Sequence, residues 1–247
     1  MNQEDPEHLT APVPAPGDGQ TILIKYGGNA MLNKELKRAV VKDIHQLTQS
    51  GYKVVIVHGG GPYIQDMLDQ VDQVTEFIGG HRKTPVEAMK IVGMVLKGQV
   101  NSEIVSLLNE FGAKAIGLSG KDANLAVAEK RYHIEESDGE KEKVDLGQVG
   151  DIKSIDPQLI YDLLDKNYIP VVAPVAIGED HKDYNVNADM FAGALAGALK
   201  ASSYLVLTDV DGIMEDKDRP ETLIGDIKLE HLKKLPGKII QGGMIPK

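Results

Sequence analysis

Two glycine-rich turns hold the residues best suited to chemistry. Lys25-Tyr26-Gly27-Gly28-Asn29 and His58-Gly59-Gly60-Gly61-Pro62 each end a short, β-branched apolar run. Glycines let backbone N–H groups approach an anion with no Cβ in the way, and a helix starting just beyond adds its positive end. One such turn is about as often a plain strand-to-helix connection. Two at successive strand ends, one with a lysine two residues ahead of its glycines, favour an anion-binding site. The sequence has no G-x-x-x-x-G-K-[ST], and neither turn completes G-x-G-x-x-G. Protein-kinase catalytic-loop and D-F-G motifs are missing, and no histidines pair at metal-binding helical spacing. Phosphate chemistry in this chain therefore needs a different architecture.

The elements that must position these turns alternate along the chain. Thr21–Tyr26 and Lys53–Val57 read as buried strands. Between them Leu36, Val40, Val41, Ile44 and Leu47 fall at helical spacing behind Asn33, a suitable N-cap. Thr84-Pro85-Val86-Glu87 reads as a capping box with proline at the first helical position. Further strands are expected at Lys114–Leu118, Tyr168–Val175 and Tyr204–Leu207, and further helices after Asp156-Pro157 and over Asn187–Leu199. Polar Ala123–Asp151 reads as an antiparallel hairpin leaving the sheet. The alternation implies an α/β fold with a mainly parallel sheet covered on both faces.

Bulk properties narrow the function classes. The chain has 247 residues, 42% apolar and 26% charged, enough for one large α/β domain. No cysteine is present, which removes disulfides and thiolate metal sites and makes a reducing cytoplasm the expected compartment. A net charge of −10 argues against nucleic-acid or anionic-membrane partners. The uncharged apolar run Met190–Leu199 is too short to span a bilayer. Residues 1–20, with Pro6, Pro12, Pro14, Pro16 and Gly17, are expected to be a disordered tail before a single domain over 21–247.

Beyond the two turns come Gly79-Gly80-His81-Arg82-Lys83-Thr84, Asn185-Val186-Asn187-Ala188-Asp189, Thr208-Asp209-Val210-Asp211-Gly212-Ile213 and Gly242-Gly243-Met244-Ile245-Pro246-Lys247. This ordered set closely resembles acetylglutamate kinases of the amino-acid-kinase superfamily, over essentially all of Thr21 to Lys247. The resemblance implies a three-layer αβα sandwich, with acetylglutamate bound by the first part of the chain and Mg-ATP by the second, the Mg2+ held mainly by nucleotide phosphates. It implies catalytic roles for Lys25, Lys247 and Asp189, the aspartate holding the lysines in place. Gly59, Gly60, Arg82 and Asn185 match substrate-binding positions. Lys25, Gly27, Gly28, Asp209, Asp211, Gly212 and Lys247 match the nucleotide side. Amides around Gly27, Gly28, Gly59 and Gly60 would form an oxyanion-type cradle. On spacing alone, Asp189 would be a helix cap, Arg82 a solvated charge, Asn185 a loop residue and Asp209-Val210-Asp211-Gly212 an ordinary turn. His58 is expected to be a packed, satisfied imidazole.

The resemblance also implies a homodimer. The family's chains continue past the lysine matched by Lys247, so the domain is expected to be truncated and this chain nearly inactive. Arginine-inhibited members carry a helical N-terminal extension that the proline-broken tail would not supply. Alternative readings are a related aminoadipate-type kinase and a non-catalytic metabolite-binding protein on the same fold.

Overall fold

A computed structural model describes residues 19–137, 140–208, 212–216 and 219–232. The expected tail (but for Gly19 and Gln20), Asp209, Asp211 and Lys247 lie outside the described residues. In chain order the strands are β1 (Thr21–Tyr26), β2 (Lys53–His58), β3 (Phe77–Ile78), β4 (His81–Arg82), β5 (Ala115–Ser119), β6 (Ala126–Ser137), β7 (Glu140–Ile155), β8 (Ile169–Ala173), β9 (Val175–Gly178), β10 (Asp183–Val186) and β11 (Ser203–Leu207). The main helices are α1 (Lys34–Gln49), α2 (Gly61–Gln70), α3 (Val86–Gly93), α4 (Ser102–Glu110), α5 (Gln158–Leu164) and α6 (Ala188–Leu199). A π-helical segment, Met94–Asn101, joins α3 to α4 without a break.

Five parallel strands form the central sheet in the order β11-β1-β2-β8-β5. Because side chains alternate along a strand, β1 sends Ile22, Ile24 and Tyr26 to one face and Leu23 and Lys25 to the other. The first set packs with Val41 and Ile44 of α1, Ile64 and Leu68 of α2, and the long helix. Leu23 packs with Val55, Val57 and Val172 against Ile160 of α5 and Phe191, Ala192 and Leu195 of α6. Helices thus cover both faces, the expected three layers.

A second, four-stranded sheet closes on itself in the order β10-β7-β6-β9. It contains the expected hairpin, displaced to β6 and β7, and sets Asn185 of β10 beside Val149 of β7. The stretch Tyr168–Val175, expected as one strand, divides at Pro174 into β8 of the first sheet and β9 of the second. Proline has no N–H for a ladder, which suits a corner between sheets.

The expected capping box does not form. Pro85, not Thr84, occupies the N-cap, without a side-chain hydrogen bond. Thr84 is fully buried and extended, bridging to β7: its N–H donates to Leu146 O and its carbonyl accepts from Gln148 N–H. By length and composition Val86–Glu110 could cross a membrane, unlike the shorter run singled out from the sequence. Its residues Met89, Val92, Leu96, Ile104 and Leu108 are instead buried in the core.

Candidate active site

Open parallel sheets bind ligands beyond the carboxyl ends of their strands. A cavity of about 290 Å³ opens there, between β1, β2 and β10. Lys25, Gly28, Gly59, Gly60, Arg82, Asn185 and Asp189 all line it. A cavity of about 270 Å³ sits at the amino ends, against Lys53, Lys114 and Ile169. Neither glycine-rich turn lines it, whereas Gly28, Gly59 and Gly60 line the first cavity, which is therefore the candidate site.

Lys25 is the last residue but one of β1 and faces the α6 layer, where its side chain is buried. Asp189 stands in the first turn of α6. The two meet with Nζ 3.1 Å from Oδ1, an ion pair off the axis of a straight hydrogen bond. Asp189 is not the cap that spacing suggested. Asn187 caps α6, its Oδ1 accepting from the N–H groups of Asp189 and Met190 at 2.9 and 3.2 Å. The helix N-terminus therefore leaves Asp189 free for Lys25 and favours its negative charge. Tyr204 of β11 donates its hydroxyl proton to Asp189 O at 3.3 Å. Burial pushes that phenol up to about 12, so it remains a donor.

Gly27 makes room for the lysine. A Cβ there would lie 2.8 Å from Lys25 Nζ, so any other residue would force the lysine to move from this position. Gly28, with φ +74°, turns the chain in the left-handed region that glycine tolerates. One expected cradle donor is already used: Gly59 N–H donates to Tyr26 O at 2.7 Å, tying the two turns together. The N–H of Gly60 has no acceptor among the described residues.

Across the cavity Arg82 is buried, not solvated. Its Nη1 donates to Gln65 Oε1 at 2.6 Å and Thr75 Oγ1 at 2.7 Å, and its guanidinium stacks on Phe77 with 4.6 Å to the ring centre. Each of those acceptors is neutral. Burial lowers the Arg82 pKa, and Asp69 opposes this from a distance. A buried guanidinium held by neutral groups is set up to receive an anion. Thr84 connects this cation to Asn185. Its hydroxyl donates to Arg82 O at 2.8 Å and accepts from Asn185 Nδ2 at 3.3 Å.

His58 is the packed imidazole expected, wholly buried with its pKa lowered to about 4 by desolvation. Gly212 follows β11, where an added Cβ would lie 2.9 Å from Leu223 Cδ1, and it is not among the residues lining the cavity. Gln65, Thr75, Thr84 and Asn187 were missed from sequence. Their partners are distant or depend on which neighbour caps a helix, so short-range spacing carries no signal for them.

The sequence profile of the Amino acid kinase family matches residues 20–247. The chain belongs to the amino acid kinase family. Among curated relatives of this amino acid kinase, the acetylglutamate kinase of Desulfitobacterium hafniense is 49% identical over 231 residues, covering 93% of this chain and 78% of that protein. The acetylglutamate kinase of Heliobacterium modesticaldum is 46% identical with the same coverage. Among solved structures, the smu.665 protein of Streptococcus mutans UA159 superposes with a TM-score of 0.73 at 26% identity, covering 92% of this chain and 86% of that one. As an amino acid kinase the protein is a phosphotransferase, and the cavity's cations and amide donors suit that chemistry.

Proposed function

We propose that the protein transfers the γ-phosphoryl group of ATP to the side-chain carboxylate of N-acetyl-L-glutamate, a step of arginine biosynthesis. The observation that carries this reading is the convergence, in one cavity, of Lys25 paired with Asp189 and Arg82 coupled to Asn185. Two curated acetylglutamate kinases at 46–49% identity support the choice of substrate.

In this account Arg82 binds the main-chain carboxylate of the substrate, its planar fork fixing direction as well as charge. Asn185, aimed by Thr84, binds a polar group beside it. The side-chain carboxylate then lies toward Lys25 and the glycine turns. An oxygen of that carboxylate forms a bond to the γ-phosphorus while the bond to the ADP oxygen breaks. Negative charge spreads over the equatorial oxygens during this exchange. Lys25, held by Asp189, and the amides near Gly27, Gly28 and Gly60 stabilise that charge from fixed positions. Gly59 contributes by position only, its amide being engaged with Tyr26. Lys247, Asp209, Asp211 and Gly212 are assigned to the nucleotide side by their match to the family.

ATP acts with Mg2+, which the nucleotide's phosphates chiefly hold. Lys25 and the glycine amides fit a polyphosphate, and no cluster of three or more His, Asp or Glu that could hold a metal occurs among the described residues. The protein works in the cytoplasm without nucleic-acid or membrane partners, in keeping with its charge of −10. It is a homodimer, as its resemblance to the acetylglutamate kinases implies. The test of function is ADP release by the full-length protein with Mg-ATP. Acetylglutamate should accelerate it severalfold or more; equal rates with and without acetylglutamate at millimolar concentration would overturn the reading.

A further inference from the structure

The π-helical segment Met94–Asn101 packs against the second glycine turn. Extra residues per turn shift a helix's side-chain register, and such segments often occur at functional sites. Here a Cβ on Gly60 would lie 2.6 Å from Leu96 Cδ2 and 3.4 Å from Val100 Cγ2, so the segment forms the floor under that glycine. Its last residue, Asn101, is buried and reaches the ring of His58.

The hydrogen bonds run in one direction. Asn101 Nδ2 donates to Val171 O at 2.8 Å, and a carbonyl can only accept, so the carboxamide is oriented with its NH2 toward β8. The same nitrogen lies 3.1 Å from His58 Nε2. With the NH2 facing it, Nε2 must accept, and the proton of the neutral ring sits on Nδ1. Nδ1–H then donates to Gly59 O at 2.7 Å. In a trans peptide C=O and N–H point in opposite directions. Holding Gly59 O against the imidazole therefore turns the Gly60 N–H away from it, and Gly60 lines the cavity.

We propose that Asn101 and His58 are positioning residues for phosphoryl transfer, locking the Gly59–Gly60 peptide so that Gly60 N–H faces the transferring group. The inference rests on reading the cavity as the kinase site. Neither side chain touches substrate: Asn101 sets the tautomer, His58 sets the peptide, and the peptide supplies the donor. Desolvation keeps the ring neutral, which preserves the acceptor at Nε2 on which the sequence of bonds depends.

The test compares His58→Gln with His58→Asn in the full-length protein. A glutamine amide extends to the Nε2 position and leaves Gly59 O without a donor, whereas an asparagine amide occupies the Nδ1 position and restores it. Loss of one preorganised donor costs about 10²-fold to 10³-fold in turnover. His58→Gln should therefore lower kcat at saturation by about 10²-fold, with KM for acetylglutamate changed less than about threefold. His58→Asn should recover most of that loss. Nitrogen-15 shifts of the wild-type ring give a readout that needs no variant, and they should report the neutral Nδ1–H tautomer. An Nε2–H tautomer, or equal kcat in His58→Gln and wild type, would overturn the inference alone. Absence of turnover in the wild type would instead overturn the kinase reading.

Discussion

Lys25 Nζ lies 3.1 Å from Asp189 Oδ1, joining the end of the first strand to the first turn of α6. Both side chains are about nine-tenths buried, so each depends on the other for charge compensation. Asp189→Asn should leave Lys25 unpaired, lowering stability by about 3–5 kcal/mol as well as slowing turnover. Denaturant unfolding and saturated kcat on the same samples check both effects. A fully active variant of unchanged stability would show that the pair positions nothing.

Lys25→Ala removes a cation whose contact tightens as charge develops on the transferring group. The expected loss is on the order of 10²-fold in kcat, with binding of acetylglutamate retained. Steady-state kinetics and calorimetric binding separate the two. Normal turnover at saturation would remove Lys25 from the mechanism.

Arg82→Lys keeps a charge but loses the planar fork. The lysine ammonium has no way to hold Gln65 and Thr75 together while also meeting a carboxylate in two places. KM for acetylglutamate should rise at least tenfold, a difference of about 1.4 kcal/mol, with kcat far less affected. An unchanged KM would place the substrate carboxylate elsewhere.

Thr84→Val retains shape and removes the hydroxyl that links Arg82 to Asn185. A hydrogen bond contributes about 1 kcal/mol net, so KM should rise roughly fivefold while kcat holds. Thr84→Ser should recover it. Failure of the serine variant to recover KM would assign the effect to packing alone.

The depressed His58 pKa, about 4 in the folded protein against 6.5 unfolded, gives a stability signature. The folded state favours the neutral ring, so this contribution is present above pH 6.5 and is lost as pH falls from 6.5 through about 4. The loss is on the order of 3 kcal/mol. Nearby Lys97 acts in the same direction, disfavouring the imidazolium. Unfolding measured from pH 7.5 to 4.5 should show a steeper decline in wild type than in His58→Asn. Parallel curves would mean that the ring is not held neutral.

Much of this arrangement was legible in the sequence. The β-branched runs before each glycine turn, Asn33 as the α1 cap and the helix beginning near Asn187 follow from local chemistry, and the structure bears them out. The motif order supplied what spacing lacked: it identified Asp189 as a partner for lysine where position favoured a cap. The failures are tertiary. Thr84 has the local pattern of a capping box, but the bridge to Gly147 and the bond to Arg82 O draw it away from the helix. Pro174 splits an apolar run because two sheets meet there. Asn101 looks like an ordinary polar residue on a long helix, and its contact with His58 is a tertiary one made at the end of the π-helical segment.

The most direct measurement identifies the product. An acyl phosphate on the side-chain carboxylate reacts with hydroxylamine to give a hydroxamate at that carbon, with release of phosphate. The full-length protein, incubated with Mg-ATP, N-acetyl-L-glutamate and hydroxylamine, should form the side-chain hydroxamate in amounts matching the ADP released, and mass spectrometry with fragmentation should locate it. Formation of ADP without hydroxamate, or hydroxamate on the main-chain carboxylate, would contradict the orientation assigned here to Arg82 and Lys25.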